Sequence, residues 1–224
     1  MTTTQHGPTE DHHVKESVLA ELDWMPGIES ESVGVAVADG AVTLSGQVRT
    51  YPQRRAAVKA TLRVRGVTAV ADEIEVHGPR SPRDDTDIAR EVGTVLERTT
   101  EPSGTVKAEV RHQIVVLTGS VAWQYEREAV TRAVAAVEGV RGVTDHVAIK
   151  PTVHVSSVLA KGKITDALRR NAGVEAERIT VEVSGDTITL RGAVASWAER
   201  SQADHAAWAT PGVAHVQNDL TVTR

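Results

Sequence analysis

A block of 73 residues recurs three times along this chain, and that repeat limits its fold more than any other feature. Leu44-Ser45-Gly46-Gln47-Val48 returns as Leu117-Thr118-Gly119-Ser120-Val121 and again as Leu190-Arg191-Gly192-Ala193-Val194. A second landmark, Gly66-Val67 with Val70, keeps the interval at Gly139-Val140 with Val143 and at Gly212-Val213 with Val216. Two landmarks in register three times call for a tandem array of one small module. A single large core would carry no such period.

Each copy reads as the same run of elements. Val33, Val35 and Val37 alternate with other residues, as a strand with one buried face does. Asp39-Gly40 supplies a hairpin turn, and Val42, Leu44 and Val48 form the inner face of the returning strand. Gly46, Gly119 and Gly192 share that face, where a missing side chain lets a helix approach the sheet. Thr50-x-x-Gln53 and Ser196-x-x-Glu199 are capping boxes that open the next helix; the middle copy has Trp123 at the cap and predicts a weaker start. Ala57, Ala60, Thr61 and Val64 follow helical spacing toward the sheet, and Gly66, Gly139 and Gly212 stand as C′ stops. Upstream of each hairpin lies a further helix, carried by Val14, Val18 and Leu22, then Ile88, Val92 and Val95, then Ile164 and Leu168.

The predicted fold is therefore α+β: three tandem α-β-β-α-β modules, each a small three-stranded sheet packed by two helices. Residues 1–10 read as a disordered tail, 11–78 as the first module and 79–85 as a Pro- and Arg-containing linker. The second module spans 86–150, a joint 151–156, and the third module 157–224. With no Phe and only 3% aromatic residues, each core rests on Val, Leu, Ile and Ala. A module of that size gains only about 3–5 kcal/mol from such a core.

The order Asp39-Gly40-Ala41-Val42-Thr43-Leu44-Ser45-Gly46-x-Val48, a capped helix, then Gly66-Val67-x-x-Val70 resembles the BON domain. The third copy is similar through Ile188-Thr189-Leu190-Arg191-Gly192-x-Val194, Ser196-Trp197-Ala198-Glu199-Arg200 and Asn218-Asp219-Leu220-Thr221-Val222. Family members include osmotically induced periplasmic proteins, secretin-associated and channel-associated domains, and a potassium-binding stress protein. The resemblance implies attachment to phospholipid membranes, with chaperone-like and ion-sensing roles also attached to the family, and no enzymatic activity.

Reactive chemistry is sparse in the residues themselves. The absence of Cys removes disulfides, thiolate metal sites and thiol catalysis. Nine histidines are present, but none falls in a His-x-x-x-His or His-Glu-x-x-His pattern, so no metal and no cofactor are expected. No catalytic set converges, and the chain reads as non-enzymatic. A net charge of −5 with few stacking positions argues against nucleic acid.

Charge is instead polarised locally. Between Arg49 and Arg65 there are six bases and no acid, and Arg55, Lys59 and Arg63 form an i, i+4, i+8 stripe beside the apolar face of the helix. Such a stripe suits anionic lipid headgroups, and these three residues are the candidate lipid-binding site. Further contacts are expected near Lys161, Lys163, Arg169 and Arg170. Arg54, Arg127 and Arg200 recur at one repeat position and predict an intramolecular ion pair or cap contact. Trp123, Trp197 and Trp208 read as packing residues.

Three roles fit: a peripheral binder of anionic membranes in osmotic or general stress, a protein-interaction or holdase-type chaperone, and a potassium or other cation sensor. The N-terminus shows no basic n-region or apolar h-region, and no stretch reaches membrane-spanning length. The expectation is a cytoplasmic protein peripheral to the membrane, periplasmic only if a leader has been removed. Open strand edges would also allow a homo-oligomer.

Overall fold

The computed structural model describes residues 8–78, 83–99, 105–152 and 178–223, with positions 162 and 166. The first copy runs α1 (Pro8–Asp23), a 3-10 turn (Ser30–Ser32), β1 (Val33–Ala38), β2 (Ala41–Val48), α2 (Tyr51–Arg63) and β3 (Ala69–Val76). The second is α3 (Asp85–Thr99), β4 (Thr105–Arg111), β5 (Ile114–Val121), α4 (Gln124–Ala135) and β6 (Gly142–Ile149). The third shows β7 (Ile179–Ser184), β8 (Thr187–Val194), α5 (Trp197–Trp208) and β9 (His215–Val222). The helix expected from Ile164 and Leu168 lies outside the described residues. The chain divides into a unit of residues 1–83 and a unit of 84–224.

All three sheets are built alike. The middle strand pairs antiparallel with the strand before it and parallel with the strand after it, in the orders β1-β2-β3, β4-β5-β6 and β7-β8-β9. A parallel pair needs a crossover, and α2, α4 and α5 provide it. The alternation of the strands then decides what is buried. Val33, Val42, Leu44 and Ile74 meet Val14, Val18 and Leu22 of α1 and Ala57 and Ala60 of α2 in one core. Ala36, Ala38, Ala41, Ala69 and Ala71 point the other way and are exposed. The third core repeats the plan with Ile188, Leu190, Ala203, Ala207 and Leu220.

Several local readings change. α1 begins at Pro8, so positions 8–10 of the expected tail are helical, with proline at the first turn where its missing N–H costs nothing. Asp84 and Asp85, read as linker, begin the next helix: the Asp84 carboxylate accepts the Asp87 N–H at 2.8 Å, and Asp85 opens α3. In α3 the third buried position is Leu96, not Val95. Leu22 and Leu96 stand 74 residues apart, because the middle copy has one residue fewer between helix and hairpin.

The repeat glycines also act differently from expectation. Gly46, Gly119 and Gly192 hold φ of +110°, +118° and +131°. A Cβ there would overlap the carbonyl oxygens of Ser32, Thr105 and Arg178, at the start of the neighbouring strand. The close approach is to the backbone that enters the neighbouring strand, with no atom of the packed α-helices among the nearest contacts. Gly66 and Gly139 stand beyond the C′ position, since α2 ends at Arg63 and α4 at Ala135. Each is the third residue of a separate turn, closed by Val67 N–H to Val64 O and by Val140 N–H to Val137 O, and both have φ of +93°. Gly212 has φ of +86°.

Helix starts follow the sequence where a hydroxyl is available. Thr50 and Gln53 form a reciprocal capping box, and Ser196 accepts from Glu199 N–H at 3.2 Å. Trp123 has no oxygen to offer. There the buried Glu126 carboxylate alone accepts the Ala122 and Trp123 N–H groups, at 2.9 and 3.0 Å.

The middle hairpin turns through His112 and Gln113, at φ of +50° and +65°, with no glycine. Left-handed backbone costs a residue with a Cβ roughly 1 kcal/mol or more. Gln113→Gly is expected to raise the stability of the full chain by about 1 kcal/mol, read as a shift in denaturant midpoint without a change in slope. A lower midpoint would show that the contacts of Gln113 outweigh the relief of its backbone strain.

Candidate functional site

α2 is anchored at its start by the Thr50 box and along one side by Ala57, Ala60 and Thr61, all buried. That orientation places Arg55, Lys59 and Arg63 on the exposed side. Their surroundings differ. Arg63 donates to Glu21 of α1 at 2.7 Å and reaches the Met25 sulfur at 3.7 Å, so its charge is largely compensated. Arg49 pairs with Glu29 and Arg54 with Asp72, each at 2.9 Å. Arg55, Lys59 and Arg65 have no ion-pair partner among the described residues. The stripe thus keeps two uncompensated cations, Arg55 and Lys59, with Arg63 as its link to α1. Lys161, Lys163, Arg169 and Arg170 lie outside the described residues.

Arg54, Arg127 and Arg200 all turn inward to the last strand of their own module. Arg127 Nε donates to Asp145 at 2.9 Å, as Arg54 does to Asp72. In the third copy Asn218 replaces the acid, and Arg200 donates to the Leu220 and Asn218 carbonyls at 3.1 and 2.7 Å. The other side-chain oxygen of Asp72 and of Asp145, and the amide oxygen of Asn218, accept the N–H two residues on. This is a structural lock, not a partner site. Its acidic half sits at one repeat position, 72, 145 and 218, but only two of the three are charged.

A second structural carboxylate had no sequence signal of its own. Asp11 accepts the Asp39 and Gly40 N–H groups at 2.9 and 3.0 Å, and Asp85 accepts those of His112 and Gln113 at 2.8 Å each. Each clamps its hairpin tip to the first helix of the module.

The tryptophans divide. Trp208 is half-buried against the third core, and Trp197 lies under the Arg200 guanidinium at 5.3 Å. Trp123 is half-buried and stacks on Tyr125 with centroids 6.4 Å apart. Trp24, which carries no repeat signal, is 87% exposed.

A shallow cleft at the ends of β2 and β3 is lined by Glu29, Ser32, Gln47, Arg49, Gln53 and His77, among others. Gln53 is occupied by its cap and Arg49 by Glu29. His77, His112, His146, His205 and His215 are exposed and dispersed. Among the described residues, no three His, Asp or Glu side chains converge on a point that could hold a metal ion, and no helix is long and apolar enough to cross a membrane.

Osmotically-inducible protein Y of Escherichia coli K12 is 30% identical over 147 residues, covering 63% of this chain and 73% of that protein. Among solved structures, the C-terminal domain of CdsD, a structural protein of the Chlamydia trachomatis type III secretion system, aligns over 93% of this chain and 96% of its own. The identity is 12% and the TM-score 0.27. The periplasmic domain of PrgH aligns over 86% and 95%, with 12% identity and a TM-score of 0.23. Residues 10–78, 84–151 and 158–224 each match the BON domain, and the chain therefore belongs to the BON-domain family.

Proposed function

We propose that this chain is a stress-related binding protein that associates with anionic phospholipid surfaces, and that it binds rather than catalyses. The observation that carries this reading is the pair Arg55 and Lys59: exposed, one helical turn apart, and without a counter-charge among the described residues. The neighbouring Arg49, Arg54 and Arg63 each pair with an acid, whereas among the described residues Arg55 and Lys59 do not. An anionic interface would supply what Arg55 and Lys59 lack, each contributing about 1 kcal/mol. Similarity to an osmotically inducible protein supports the stress context.

Co-sedimentation of the full chain with vesicles tests this. Association is expected with vesicles containing phosphatidylglycerol, falling as salt rises and screens the surface, and not with phosphatidylcholine alone. Arg55→Gln with Lys59→Gln should weaken it roughly thirtyfold, at about 1 kcal/mol per charge. Equal trace recovery with both vesicle types at low salt would end the reading. Suppression of client aggregation without vesicle binding would favour a chaperone role.

A further inference from the structure

We propose that Trp24 is the apolar anchor of the membrane-facing surface and inserts its indole among the headgroups beside the α2 stripe. This rests on the membrane reading above and adds a residue and a mode of contact to it. Trp24 is 87% exposed, while the residues around it in sequence are held in place. Its own N–H bonds to Ala20 O, Met25 N–H to Leu22 O, and Ile28 N–H to Met25 O, so the indole projects from a tight turn at the end of α1. Gln53 of α2 fastens that turn further by donating to Gly27 O. Leu22 beneath it is fully buried.

The turn adjoins the stripe directly. Arg63 bonds Glu21 and touches the Met25 sulfur, the residues on either side of Asp23-Trp24. Charge then selects the occupant. Of the acids flanking the indole, Glu21 is ion-paired with Arg63, and Asp23 accepts the Ser30 hydroxyl, which leaves its charge in place. Arg55 and Lys59, on the same helix as Arg63, have no ion-pair partner among the described residues. An apolar body with a polar N–H edge, on a turn joined through Arg63 to the helix that carries the uncompensated Arg55 and Lys59, matches a bilayer interface, which is hydrocarbon inside and anionic outside.

The test uses the full chain and phosphatidylglycerol vesicles, with and without brominated phosphatidylcholine as a quencher. Trp24→Ala should weaken association about tenfold, the worth of removing one large apolar side chain from water. The melting temperature should not move, because the side chain supports nothing in the fold. Brominated lipid should quench wild-type emission, and Trp24→Phe should abolish that quenching although Trp123, Trp197 and Trp208 remain. If Trp24→Ala binds like the wild type while the Arg55 and Lys59 substitutions weaken binding, the anchor is refuted and the electrostatic reading survives. If the wild type does not bind these vesicles, both fall. If the chain alone forms a dimer that Trp24→Ala dissociates, the indole is covered by a second copy and the proposal is overturned.

Discussion

Gly119→Ala is expected to destabilise the middle module by at least about 3 kcal/mol, close to all that a core of this size provides. Two costs combine. The residue sits at φ of +118°, outside the backbone range of L side chains. The new methyl would also overlap the Thr105 carbonyl oxygen and lie 2.8 Å from its carbon and 3.1 Å from Val106 Cα. These are backbone atoms of the paired strand, so no rotamer change relieves the contact. β4 must move away from β5, and Val106↔Gly119 is a register pair of that ladder. Hydrogen exchange followed along the full chain should show β4, β5 and β6 losing protection while β1 to β3 keep theirs. Gly93→Ala provides the contrast. Gly93 lies within α3, has nothing within 4 Å of an added Cβ, and should gain up to about 1 kcal/mol. Unchanged protection in Gly119→Ala would mean the strand entrance yields easily, and the explanation of the repeat glycine would fail.

How much of this could be read from the residues depends on whether an interaction runs along the chain or across it. Strand alternation, the helical stripe of Ala57, Ala60 and Thr61, and the Thr50 and Ser196 caps are local. All of them follow from spacing. Gly46 is visible as a repeat, but its reason is not, because the atom it makes room for belongs to Ser32, in the turn that leads into the neighbouring strand. Asp11 and Asp85 were hidden by arithmetic. They lie 74 residues apart, and a search at 73 sets Asp11 against Asp84. The same offset sets Val95 against Leu22, where Leu96 is the buried residue. Asp72 and Asp145 do not read as a repeat of charge, because Asn218 breaks it at the third copy, though Asn218 still fills the role with its amide. For the surface, sequence identified the basic stripe but not that Arg63 would be held by Glu21. Nor could it single out Trp24, since exposure is a property of the packed helices and not of the pattern.

Asp85→Ala should produce the second large effect, a loss of about 3 kcal/mol centred on the β4-β5 hairpin. The carboxylate receives two backbone N–H groups at 2.8 Å, and hydrogen bonds to a charged acceptor contribute roughly 1.5–3 kcal/mol each. What it holds is unfavourable by itself: His112 and Gln113 are both left-handed without being glycine. The clamp and the strained turn are therefore coupled. Once the carboxylate is gone the tip is free to leave the tight two-residue geometry, and the register of β4 on β5 loses its fixed end. Asp85→Asn keeps one acceptor oxygen and should lose about half as much. Introducing Gln113→Gly into Asp85→Ala should recover roughly 1 kcal/mol. Asp11→Ala should cost less than Asp85→Ala, because Gly40 already fills the second left-handed position of the first hairpin. Equal losses at the two sites would show that the carboxylate stabilises the helix start alone, and that the strain at His112 and Gln113 is borne elsewhere.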